Sequence, residues 1–171
     1  MIIAQISDTH IAVDIPEAEQ RMWDLARSIA NINTLDPAPD VIVHTGDIVH
    51  SGQPDEYALA ASTLAKARAP VYVVAGNKDN RANLHEAFSS RGYLAPEADF
   101  IDYAIDDYPV RLIALDTLSA GSNKGGFCSE RIRHLIDMID AEGTKRSQCS
   151  AIIRRLRLWS ARTVSTSKRQ R

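Results

Sequence analysis

Three short clusters hold the residue types that bind divalent cations: Asp8-Thr9-His10, Gly46-Asp47 and Gly76-Asn77-Lys78-Asp79. Aspartate offers a charged oxygen, histidine an imidazole nitrogen and asparagine a neutral oxygen, a mixed set suited to a pair of divalent ions. A carboxylate such as Asp47 can bridge two ions. The glycines beside Asp47 and Asn77 let the backbone turn sharply and come close to a ligand. Each cluster alone is weak, because Asp-x-His recurs by chance and Gly-Asp is a common turn. Together, in this order and each after an apolar run, they are specific.

The elements that must position them follow from periodicity. Residues 1–7, 40–44 and 71–75 are short apolar runs bounded by polar residues and read as buried strands. Residues 18–32 carry Met22, Leu25, Ala26 and Ile29 at helical spacing, with Pro16 suited to a first turn. Residues 54–67 and 81–90 read as two further helices. Strands alternating with helices predict an α/β sheet with flanking helices. Residues 100–105 and 110–115, joined by Asp106-Asp107-Tyr108-Pro109, predict a hairpin, so the later sheet is expected to be mixed. Residues 128–141 place Ile132, Leu135, Ile136 and Ile139 on one helical face, and Gly143 follows as a cap. In such sheets ligands bind outside the carboxyl ends of the strands, where the three clusters fall.

At these residues the sequence resembles the calcineurin-like metallophosphoesterases, whose pattern runs D-x-H, G-D, G-N-H-D, then a late His and G-H-x-H. The resemblance covers roughly residues 1–145 and implies a layered metallophosphoesterase-type α/β fold with two divalent ions, Mn, Fe or Zn. It implies Asp8 and His10 as ligands of one ion, Asn77 of the other, and Asp47 as the bridge. Ions so held activate a hydroxide for in-line attack on phosphorus and neutralise phosphoryl charge. The compact spacing resembles the bacterial cyclic-nucleotide phosphodiesterase branch. Phosphomonoesters, nucleotides and phospholipid head groups remain open as substrates.

Asn77 and Lys78 are the catalytic candidates, with Lys78, Asn80 and Arg81 as candidate substrate contacts. Lys78 stands where the family carries histidine. An ammonium can neutralise phosphate charge, but near its ordinary pKa it is a poor proton donor. Asp79 either caps the following helix or orients Lys78, the cap being favoured. His44 reads as a packed strand residue, His50 as a solvated loop residue, and His85 and His134 as helix-surface residues. Cys128 reads as an unreactive thiol. Asp116 ends a strand and could equally be a turn residue. The Gly- and Ser-rich stretch 119–126, with Lys124, reads as a flexible loop rather than a phosphate cradle, since no helix-opening motif follows it.

The 171 residues, 44% hydrophobic, suit one globular domain. No apolar run reaches a membrane span, no signal peptide is visible, and two cysteines without metal or redox spacing point to a reducing cytoplasm. The net charge of −2 conceals an asymmetry: residues 146–171 hold eight bases and no acid, leaving −10 on residues 1–145. One extra base after the Lys145 codon, with suitable synonymous codons, turns the Ala151-Ile152-Ile153-Arg154-Arg155 region into Ser-His-His-Pro-Pro, the family's missing motif. The expectation is therefore a metallophosphoesterase domain over 1–145, incomplete at its C-terminus, with an out-of-frame basic tail over 146–171. Such a chain lacks the second metal's histidines, which makes an inactive pseudoenzyme or fragment the alternative to a phosphodiesterase. A basic-tailed nucleic-acid-binding module is the weaker rival, because the tail has one aromatic and no recognised fold signature. The expected partner is a small-molecule phosphoester, with no membrane and a homodimer as one assembly of the full-length form.

Overall fold

The strand Val41–His44 (β2) is buried at all four positions, and the architecture is organised around it. In the computed structural model, residues 1–95, 99–119, 122 and 124–140 are described in full, and 147–151 for the main chain. β2 pairs in parallel with β1 (Ile3–Ile6) on one side and β3 (Val71–Val73) on the other. A strand covered on both faces reads as a continuous apolar run, as Val41, Ile42 and Val43 do.

The helices of this half match the expected spacing. α1 (Ala18–Ile32) buries Leu25 and Ile29. α2 (Pro54–Leu64) starts with proline in its first turn and a capping box, in which Gln53 and Glu56 serve each other's main chain. It buries Tyr57, Ala60 and Leu64 along one face, and ends at Leu64, short of the expected residue 67. α3 (Arg81–Phe88) buries Leu84 and Phe88, and a 3-10 turn over Ser89–Arg91 follows it.

The second sheet contains β4 (Tyr103–Ile105), β5 (Arg111–Leu115) and β6 (Ser147–Ala151) in that spatial order. β4 and β5 form the expected antiparallel hairpin, β6 runs parallel to β5, and the sheet is mixed. The main chain of 147–151, which composition assigns to the basic tail, thus forms the third strand. The rest of the tail lies outside the described residues. The two sheets face each other, with Val43, Tyr72 and Val74 opposite Tyr103, Ile105 and Leu112. By the two-residue alternation, Ile42, Val71 and Val73 turn to the other side. The layered α/β expectation is met.

α4 (Ser129–Asp140) departs from its pattern. Ile132, Ile136 and Ile139, expected to face the core, are 44%, 50% and 46% exposed, while Arg131 is buried. The Arg131 guanidinium donates to the carbonyls of Asp116 and Leu118 and stacks 4.8 Å from the Phe100 ring. Those bonds turn the arginine side of the helix inward. Among the described residues no helix is long and apolar enough to cross a membrane.

The edge strand β3 is closed by tyrosines rather than by a neighbouring strand. Val73 N–H donates to the Tyr93 hydroxyl at 3.3 Å, and the Tyr103 hydroxyl donates to Val73 O at 2.7 Å. The Tyr72, Tyr93 and Tyr103 rings pack together around them. Removing a buried hydroxyl that serves a carbonyl costs roughly 1–3 kcal/mol. Tyr103→Phe is therefore expected to lower the urea midpoint by that equivalent. Tyr108→Phe, whose hydroxyl meets Asp40 O at 3.5 Å near the surface, should shift it less.

Candidate metal centre

The ligand-bearing loops are extensions of the β1–β2 ladder. Thr45 N–H donates to Ile6 O at 2.9 Å, Asp8 N–H to Gly46 O at 3.0 Å and His10 N–H to Asp47 O at 3.0 Å. Ile11 N–H then donates to Ile48 O, and His50 N–H returns to Ile11 O, both at 2.9 Å. The two turns are zipped along their length, which fixes Asp8 and His10 against Asp47.

This register demands unusual backbone. Asp8, His10 and Asp47 have φ of 55°, 45° and 50°, and they are the non-glycine residues with positive φ among those described. Left-handed conformations at non-glycine residues cost of order 1–3 kcal/mol each and gather at functional sites. All three converge. One donor atom from each lies within 4.8 Å of the others. His10 Nε2 is 3.6 Å from Asp8 Oδ1 and 3.8 Å from Asp47 Oδ2. Both separations exceed a hydrogen bond, and both suit donors lying about 2.1 Å from one shared ion. Nε2 is the ring atom turned to the two carboxylates, and the other ring nitrogen, Nδ1, is buried without a hydrogen-bond partner. The residues fit a divalent ion with nitrogen and oxygen donors.

The third loop closes on the same point. Lys78 N–H donates to Asp47 Oδ1 at 2.9 Å. The approach needs two glycines: a Cβ on Gly46 would stand 2.6 Å from Gly76 N, and one on Gly76 would overlap Asp47 N and Oδ1. Asn77 lines the cleft beside Asp8 and Asp47, while the Lys78 side chain is exposed and does not. Ser119, Lys124 and Gly125, from the stretch between β5 and α4 that the sequence reads as a flexible loop rather than a phosphate cradle, also line the cleft.

Asp79 neither caps α3 nor orients the Lys78 ammonium by any bond among the described residues. Its buried carboxylate accepts from Gly76 N at 2.8 Å, Ile48 N at 3.3 Å, Val49 N at 3.4 Å and the Tyr57 hydroxyl at 3.0 Å. Burial raises its pKa to about 6 against the lowering effect of those donors. The cap of α3 is Asn80, whose side chain accepts from Asn83 N at 3.1 Å. Arg81 grips the buried Asp116 through two bonds, 2.5 and 2.9 Å, and also donates to Leu118 O. The two proposed substrate contacts thus have structural partners, and Arg81 reaches the cleft wall through Leu118.

Two positioning groups are invisible to motif reading. Arg21, on α1, donates to His10 O at 2.9 Å and to His50 Nδ1 at 3.1 Å, so it fixes the main chain of a ligand. His44 is fully buried; Gly46 N–H donates to its Nδ1 at 3.3 Å, so the ring carries its proton on Nε2 and donates to Thr9 Oγ1 at 2.9 Å. Thr9 in turn donates to Ile48 O at 2.9 Å. Packing is the role the sequence assigned to His44, and the packing is also a relay beneath the ligand turns. His85 donates to Ala95 O at 2.8 Å, and half-exposed His134 packs against Phe100. Neither belongs to the centre.

Two outcomes follow from this geometry. Gly76→Ala should displace Asp47 and weaken Mn²⁺ binding at least tenfold in equilibrium dialysis, by the overlap argued above. Burial lowers the His44 pKa from 6.5 to about 3, so the fold holds it neutral while the unfolded chain protonates it. Its stabilising contribution is complete above pH 6.5 and falls away as pH drops toward 3. The urea midpoint should decline over that window, and His44→Gln should flatten the decline.

The sequence profile of the family described as calcineurin-like phosphoesterase matches residues 1–162. A probable glycerophosphodiester phosphodiesterase of Arcobacter nitrofigilis is 37% identical over 141 residues, 77% of this chain and 49% of the relative. A glycerophosphodiester phosphodiesterase of Enterobacter lignolyticus is 30% identical across 85% of this chain and 54% of its own length. A cAMP/cGMP dual specificity phosphodiesterase of Mycobacterium tuberculosis is 31% identical over 72% of this chain and 40% of its own. The chain therefore spans about half the length of the relatives it matches. Zipped ligand turns and a profile match over most of the sequence agree: the chain belongs to the calcineurin-like phosphoesterase family.

Proposed function

We propose that this chain carries the metal-binding core of a metal-dependent phosphodiesterase acting on a small-molecule phosphodiester. The observation that carries the reading is the convergence of Asp8, His10 and Asp47, each in a left-handed backbone, on one point. Strain at three residues persists only where the surroundings over-determine it, and a ligand site accounts for the location. Asp8, His10 and Asp47 would hold one divalent ion. Asp47 would be shared with a second ion that Asn77 helps to hold. Mixed nitrogen and oxygen donors suit Mn, Fe or Zn. Bound there, the ions supply a water of lowered pKa and neutralise charge on the phosphoryl oxygens.

The chain's own residues do the rest. Lys78 N–H fixes the Asp47 carboxylate, and Arg21 and the His44–Thr9 pair hold the ligand turns in register. Glycerophosphodiesters and cyclic nucleotides, the substrate classes in the relatives' names, share a phosphodiester with small alcohol groups. That shared chemistry is the substrate class we favour.

A second reading has its own support. Among the described residues one group of three acidic or histidine ligands is present, so a second ion would have few donors. A chain holding one ion without turnover is the inert-fragment alternative.

Dialysis against Mn²⁺ followed by elemental analysis, with bis(p-nitrophenyl) phosphate as substrate, separates them. The enzyme reading expects bound Mn²⁺ and hydrolysis that depends on it, both reduced roughly a hundredfold by Asp47→Asn. Bound metal with turnover no faster than Asp47→Asn supports the inert fragment. Absence of metal binding in a folded chain overturns both.

A further inference from the structure

The cleft beside the ligand cluster is asymmetric in charge. Asp8 and Asp47 stand on one wall, and Lys124 is the cation among the described residues that line it. Both lysines are exposed residues, but Lys78, the motif's candidate for this task, is not part of the lining and Lys124 is. We infer that Lys124 is the group that binds the anionic phosphoryl oxygen of the substrate, a role resting on the phosphodiesterase reading above.

Three observations support the assignment. First, the described residues around Lys124 are hydrogen-bonded. Gly126 N–H donates to Thr117 O at 2.8 Å, Ser122 N–H to Ser119 O at 3.0 Å, and Lys124 N–H to Ser122 Oγ at 3.0 Å. Second, its base is fixed by two arginines. Arg131 donates to Asp116 O at 2.9 Å and Leu118 O at 3.1 Å, and Arg81 donates to Leu118 O and the Asp116 carboxylate. The anchored base includes Thr117 and Leu118, which line the cleft together with Lys124. Third, the chemistry is complementary. With Asp8 and Asp47 turned to the ion they would hold, a phosphoryl oxygen directed away from that ion still needs a donor, and Lys124 is the cation among the described residues of the lining. An ammonium on a flexible stem presents three donors as a point charge, which suits a non-bridging phosphoryl oxygen.

The test uses the full chain loaded with Mn²⁺ and inorganic phosphate as the probe, with binding followed by calorimetry. Lys124→Ala should weaken phosphate binding roughly tenfold, with Mn²⁺ affinity unchanged. Lys124→Arg should recover most of the loss, which a purely structural role would not predict. Lys66→Ala, on the surface after α2, reports diffuse charge and should change phosphate binding by less than about twofold. Equal losses at Lys66 and Lys124, or no loss at Lys124, would overturn the assignment. Wild-type chain that binds Mn²⁺ but no phosphate overturns it while leaving the metal centre intact. Failure to bind Mn²⁺ overturns the underlying phosphodiesterase reading, and the role of Lys124 with it.

Discussion

The buried Asp79 carboxylate is the interaction on which the site depends. Its four donors come from three places: Gly76 after β3, Ile48 and Val49 after β2, and Tyr57 on α2. Tyr57 then accepts from Asn80 N at 2.8 Å, which ties the start of α3 into the same node. A buried carboxylate is costly unless hydrogen bonds serve it, and here those bonds are the main-chain N–H groups of the loops to be joined. Desolvation cost and loop geometry are therefore one constraint. If the β2 and β3 loops separated, the carboxylate would lose its donors and Asp47 would lose the Lys78 N–H.

That clamp explains how strain can be tolerated at Asp8, His10 and Asp47. Each left-handed residue is flanked by main-chain bonds across the two turns, so relaxing one conformation breaks at least one bond in a buried ladder. Gly46 and Gly76 do the complementary work by removing side chains where the β2 and β3 loops touch. His44 and Arg21 add support from below and from α1. A metal site needs donors fixed to within fractions of an ångström, and the main-chain bonds across the two turns hold Asp8, His10 and Asp47 in one register.

Much of this was legible in the sequence, for a physical reason. The candidate ligands are local to strand ends, so Asp8, His10, Asp47 and Asn77 can be picked out from where apolar runs stop. The bounds of α1 follow from sequence because Leu25 and Ile29, its buried residues, repeat at helical spacing. The misses are tertiary. Asp79 looks like a cap by type and position, and only the fold shows Ile48, Val49 and Tyr57 around it. Arg21 is an ordinary helix arginine in sequence and Arg81 reads there as a substrate contact, because their partners, the His10 main chain and Asp116, lie outside their own helices. On α4 the isoleucine spacing implied a buried face, but the Arg131 bonds to Asp116 and Leu118 outweighed it.

The second sheet has a part in the site that its composition does not suggest. Asp116, fully buried at the end of β5, accepts two bonds from Arg81 of α3, and it also accepts from Ile101 N at 3.0 Å and Leu118 N at 2.8 Å. Phe100 lies between the Arg81 and Arg131 guanidinium groups, at 5.4 and 4.8 Å from its ring centre. An arginine pair around one carboxylate and one aromatic ring is stable because each guanidinium has hydrogen bonds in its plane and a ring across its face. Arg81 follows directly from the Asn77–Asn80 loop, so the ion pair joins the loop after β3 to the end of β5. Asn77 and Leu118, which both line the cleft, are thereby tied to each other through Arg81 and Asp116.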